Sequence, residues 1–163
     1  MSKYIIVQLD GVNAVGSLGE ILHQAIFECP GEHEEEGGFI VVNNGKYEFI
    51  KIRNQHTGEP CAVGFYEADQ HEYGEKVVGK LLSGYKNFAS FHTHPTGCRA
   101  FPSSIDLTRL FNGAKTNFIW SPSLNELNQY DHLDASYYDD TNNATVWGMT
   151  PIFLDKFTAS TAE

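Results

Sequence analysis

The feature that most limits what this chain can fold into is FHTHPTGCRAFPSSID, residues 91–106. His92 and His94 are separated by one residue, and in a strand the side-chain period is two, so both imidazoles leave the same face. Pro95 cannot continue the ladder and ends the strand. Ser103 and Asp106 then show the S-x-x-D spacing of a helix start, where the helix dipole favours a carboxylate in the first turn. Two imidazoles on one strand face can grip a divalent ion, and Asp106 can supply a third ligand. Three protein ligands leave a fourth position for water, as in catalytic rather than structural zinc sites.

Each half of the pattern has an ordinary explanation. An S-x-x-D is far more often a helix cap than a ligand, and alternating polar positions occur in any half-buried strand. The combination is different. H-x-H-P, seven residues, then S-x-x-D specifies five positions, and ordinary residue usage produces it in a chain of this size on the order of once in 10⁵.

The remaining segments predict a mixture of strands and helices. YIIVQL (4–9) reads as a strand, and SLGEILHQAIFE (17–28) as a helix capped by Ser17, with Leu18, Ile21, Leu22, Ala25 and Ile26 on one face. GGFIVV and KYEFIKI flank Asn-Asn-Gly, a hairpin signal because Asn-Gly accepts positive φ. CAVGFYEA (61–68) reads as a strand. EYGEKVVGKLLSGY (72–85) reads as a helix with Val77, Val78, Leu81 and Leu82 inward, weakened by its glycines. NFASFHTH (87–94) is a strand, SSIDLTRLFNG (103–113) a short helix, and TNFIWSP and NATVWGMTPIFL further strands. Between the last two, SLNELNQYDHLDASYYDDTNN reads as an irregular loop or hairpin. The expectation is an α/β (α+β) fold around a mixed sheet, as a single domain spanning 1–163.

Composition excludes some partners. The net charge of −10 argues against a broad nucleic-acid surface, which needs a basic face. No apolar run approaches the roughly 20 residues that cross a membrane, and MSKYIIVQLDG reads as a first strand rather than a secretory signal. The expected location is the cytoplasm. Cys29, Cys61 and Cys98 cannot all pair and show no CxxC spacing. Cys29 and Cys61 are expected as buried thiols and Cys98 as a loop thiol.

The 91–106 stretch resembles the signature of the JAMM (JAB, MPN-plus) zinc metalloproteases, His-x-His-Pro-x7-Ser-x-x-Asp, at all five positions. That family also has an upstream glutamate followed after two residues by glycine and two apolar residues. EEGGFI (35–40) is similar, selecting Glu35 through Gly38, Phe39 and Ile40, with Glu34 and Glu36 beside it in the same acidic run. The resemblance covers residues 35 to about 120, and the short chain is similar to bacterial or phage JAB domains. It implies a deaminase-like sheet flanked by helices. It also implies Zn²⁺ on His92, His94 and Asp106, Glu35 as general base, and Ser103 as donor to the oxyanion. The substrate it implies is an amide or isopeptide bond at the C-terminal tail of a ubiquitin-like protein. Alternatives are another amide (phage tail or cell-wall processing, a toxin-associated domain) or a catalytically silent JAB-like binding module. His23, His33, His56, His71 and His132 share no ligand spacing and read as surface or packing residues.

Overall fold

The structure is a computed structural model describing residues 18–31, 34–55, 66–95, 97–102, 106, 111–131, 136–140, 143–147 and 149–152. Several expectations lie outside the described residues: the strand at 4–9, the Ser17 cap, Cys61, most of the strand at 61–68, Ser103, most of the helix at 103–113, and His33, His56 and His132.

The central element is a mixed six-stranded sheet. Helix α1 (Leu18–Glu28) is followed by β1 (Gly37–Asn43), β2 (Lys46–Ile52), a helical run α2 (70–82) and β3 (Lys86–Thr93). Then come β4 (Thr116–Ser121), β5 (Glu126–Asp131), β6 (Ser136–Asp140), β7 (Asn143–Trp147) and β8 (Met149–Ile152). The sheet order is β2-β1-β3-β4-β5-β8, with β6 and β7 paired as a separate ribbon. Only β3 and β4 run parallel within the sheet. A parallel pair cannot be joined by a tight turn, so the chain between them must cross over. That crossover carries Asp106.

The β1–β2 hairpin forms where Asn-Gly predicts it. Asn44 and Gly45 both adopt positive φ, 52° and 78°, the turn geometry that matches strand twist.

Each face of the sheet is covered by a helix. On one, Leu18, Ile21, Leu22, Ala25 and Cys29 pack on Ile40, Ala89, Phe91, Phe118, Trp120 and Leu127. On the other, Tyr73 and Val77 pack on Phe39, Val41, Ile52, Tyr66 and Phe111. Each large apolar side chain so buried contributes roughly 1.5–3 kcal/mol relative to exposure.

Two expectations about the elements need correction. In α2 the inward residues are Tyr73, Val77 and, partly, Leu81, whereas Leu82 is 84% exposed and Val78 36%. The cause is a π-helical stretch, Gly74–Val78, between α-helical Gln70–Tyr73 and Gly79–Leu82. Its extra residue per turn moves the inward stripe to a spacing of four. The second correction concerns 121–145, which contains β5, paired between β4 and β8 in the sheet, as well as the β6–β7 hairpin. β5 reads as a loop because ELNQYD is polar, yet Asn128 is buried by donating to the Ala100 carbonyl at 2.7 Å.

Candidate metal centre

The end of β3 sets the first two ligand candidates. His92 and His94 are both buried, and their Nε2 atoms face the same carboxylate oxygen, Asp106 Oδ2, each at 3.3 Å. His94 sits one residue past β3, yet its N–H still donates to the Trp120 carbonyl at 2.8 Å, so β4 holds it in strand direction. Glu35, two residues before β1, is 6% exposed and brings Oε1 to 4.0 Å from His92 Nε2. Donor atoms of Glu35, His92 and His94 all lie within 4.8 Å of one another, a grouping that can hold a metal ion.

The two imidazoles are oriented by different means. His94 Nδ1 lies 2.8 Å from the Arg99 carbonyl oxygen. A carbonyl only accepts, so Nδ1 carries the proton and donates, and the Nε2 lone pair faces the site. His92 is held by packing: Tyr66 stacks on it at 6.0 Å and 8°, and Phe111 leans on it at 5.5 Å. Among the described residues His92 Nδ1 has no hydrogen-bond partner. Gly37, paired with His92 across β1 and β3, makes this arrangement possible. A Cβ there would lie 2.3 Å from the Phe91 carbonyl oxygen and 3.0 Å from both His92 and Tyr66 side chains.

The loop bearing Arg99 is tied to β5. Arg99 forms a two-point ion pair with Glu126 at 3.0 and 2.7 Å, and Glu126 also accepts from Ala100 N at 2.9 Å. Tyr66, Arg99, Glu126 and Asn128 thus support the site, although no spacing in the sequence marks any of them. Asp69, which caps α2 through His71 N and Glu72 N, is the one supporting residue with a sequence signal, its position just before the helix.

The electrostatics favour a cation. Burial would raise the Asp106 pKa, but the facing His92 and His94 imidazoles outweigh it and hold the carboxyl well below its usual range. Burial would lower the His94 pKa, and the hydrogen bond and charge of Asp106, with the charge of Glu35, outweigh it and raise the group from 6.5. Two buried carboxylates in one spot are costly unless positive charge joins them. The separations fit such a charge. Charge-assisted N–H···O bonds close to about 2.7–2.9 Å, whereas two ligands of a tetrahedral metal held at about 2.0–2.1 Å stand roughly 3.3 Å apart. The observed 3.3 Å contacts are long for the first and also fit the second.

Of the five site residues singled out in the sequence, Glu35, His92, His94 and Asp106 come together, and Ser103 lies outside the described residues. Cys98 requires a correction: it is disulfide-bonded rather than a loop thiol, and it is 6% exposed. A sulfur in a disulfide is not the thiolate that binds metals. Cys29 is a free, buried thiol, and burial pushes its pKa up to about 12. His23 and His71 are exposed.

No protein-family model matches the chain, and no curated protein matches its sequence.

Proposed function

We propose that the chain is a zinc-dependent metallopeptidase or isopeptidase of JAMM type, acting on an amide at the C-terminal tail of a ubiquitin-like protein. One observation carries the reading. Two imidazole nitrogens and one aspartate oxygen converge at metal-ligand spacing, while a second buried carboxylate, Glu35, stands 4.0 Å from His92 Nε2. A structural site needs no carboxylate in waiting; a hydrolytic one does. The mixed sheet with a helix on each face is compatible with a JAB/MPN fold.

His92, His94 and Asp106 would hold the ion, which supplies a Lewis acid and a water acidic enough to ionise near neutral pH. Glu35 would stand beside that water as general base, accepting its proton and delivering it to the departing amine, a poor leaving group until protonated. The Arg99 carbonyl keeps His94 in the tautomer that presents Nε2. Ser103 donates to the tetrahedral oxyanion, a role in which one donor contributes roughly 3 kcal/mol. No side-chain nucleophile takes part. Beside Glu35 an open recess of about 300 Å³ is lined by Glu34, Glu36, Lys51, Arg53, Glu72 and Lys76. Its mixed charge suits a polar segment of substrate.

The test is metal analysis of the purified chain together with a cleavage screen against ubiquitin-like fusions, with Glu35→Gln as control. Bound zinc and metal-dependent cleavage abolished in Glu35→Gln are expected. A wild-type chain that takes up no zinc, or a Glu35→Gln variant that cleaves normally, would sink the reading.

A further inference from the structure

Between the two histidines stands Thr93, fully buried and, by strand alternation, on the opposite face of the sheet. Its surroundings are built around the segment that carries Glu35. Glu36 N donates to Thr93 Oγ1 at 2.9 Å, and Thr93 N donates to the Glu36 carbonyl at 2.9 Å. The backbone of Gly31, at φ +58°, presses on the same hydroxyl: a Cβ there would lie 2.2 Å from Oγ1. Gly31 N donates to Glu36 Oε2 at 2.8 Å, and Lys51 Nζ donates to Glu36 Oε1 at 2.7 Å and to the Glu28 carbonyl at the end of α1 at 2.8 Å. On the other side, Asn54 Nδ2 donates to the Glu35 carbonyl at 3.0 Å.

We infer that Thr93 is a positioning residue, whose hydroxyl clasps Glu36 and thereby sets where the Glu35 carboxylate stands over His92. Glu35 precedes the first residue of β1 and belongs to no ladder of its own. Its placement comes from the Asn54 bond to its own carbonyl together with what grips Glu36. A general base must sit within about 0.5 Å of its working position, and a shift of about 1 Å can cost roughly 10²-fold in rate. Threonine is also an ordinary strand residue, but for packing alone valine serves as well, and valine would leave Glu36 N without its acceptor.

The inference rests on the base role proposed for Glu35, so the experiment separates the two. Thr93→Val keeps volume and strand preference and removes only the acceptor. Wild type, Thr93→Val, Thr93→Ser, Glu35→Gln and the Thr93→Val/Glu35→Gln double variant are loaded with Co²⁺. Each is compared by metal stoichiometry, Co²⁺ absorption and turnover of a ubiquitin-like fusion. Thr93→Val should retain full Co²⁺ and show a spectrum displaced in the same direction as Glu35→Gln. It should lose about 10- to 100-fold in kcat with KM within about twofold. Thr93→Ser should recover to within about threefold of wild type, and adding Thr93→Val to Glu35→Gln should cost no more than about twofold. Losses that multiply in the double variant, or a wild-type spectrum and kcat in Thr93→Val, overturn the inference. Should Thr93→Val fail to fold, Glu36→Gln breaks the Lys51 pairing with the side-chain shape kept and carries the same expectations at about threefold. A fully active Glu35→Gln would end the base reading instead. The clasp is then judged on spectra alone: a displacement in Thr93→Val supports it, and an unchanged spectrum overturns it.

Discussion

The two faces of β3 use alternate residues of one strand for opposite ends. On the α1 side, Ala89 and Phe91 lie in a dry cluster with Leu22, Phe118 and Trp120. On the other side, Ser90, His92 and, just past the strand, His94 bury polar atoms against Asn117, Asp106 and Tyr66. Apolar contacts tolerate small shifts at modest cost. Buried polar groups do not, because each lost partner leaves a desolvated atom behind. The comparison teaches that along β3 apolar packing and polar burial alternate one residue apart, with Thr93 the polar exception on the α1 side.

The sharpest way to break that comparison is Glu35→Gln. It should lower turnover of a ubiquitin-like fusion by about 10²–10⁴-fold while zinc content and melting temperature stay near wild type. Asp106→Asn, by contrast, should weaken both zinc binding and turnover. On the apolar side, Phe91→Ala should cost about 3–5 kcal/mol in denaturant unfolding, with zinc per folded molecule unchanged. A Phe91 variant that loses zinc first would show that the faces are not separable.

Smaller effects sharpen the picture. Asn128→Ala frees the Ala100 carbonyl and loosens the loop whose Arg99 carbonyl orients His94. Zinc affinity, measured by competition with a chelator, should fall by about tenfold. A fall in stability with no change in affinity would reduce β5 to a scaffold. The smallest expected effect is on pH. With the His94 pKa raised from 6.5 in the metal-free chain, the ion must displace a proton. Apparent zinc affinity should therefore rise with pH up to that raised value and flatten above it. The stability that His94 gives the metal-free fold runs the other way: it is fully present below 6.5 and lost as pH passes the raised value. Calorimetry in buffers of different ionisation enthalpy would detect the released protons.

Local rules made much of this legible. The β1–β2 hairpin follows from Asn44 and Gly45, and α1 follows from its apolar stripe. The shared face of His92 and His94 follows from strand alternation. Asp106 was a candidate from its place at the helix start after the two histidines and was singled out by the resemblance, whereas Glu35 was identifiable only through the resemblance, since an acidic run has commoner explanations. β5 was not legible, because ELNQYD enters the sheet through hydrogen bonds that its composition does not announce. The π-helical shift in α2 was hidden as well. Leu82 looks inward at the α-helical period, and its 84% exposure follows only from where the preceding turn widens.

By itself the sequence determined which side chains are available and which lie on a common strand face, because alternation and turn preference act over a few residues. Tertiary structure alone decided that Asp106 comes within 3.3 Å of both imidazoles and Glu35 within 4.0 Å of one. It also decided that Thr93, Tyr66, Arg99 and Asn128 surround them. Apart from Thr93 and Arg99, those contacts join residues well separated along the chain, and the sheet register together with the segments carrying Tyr66 and Asp106 brings them to one point.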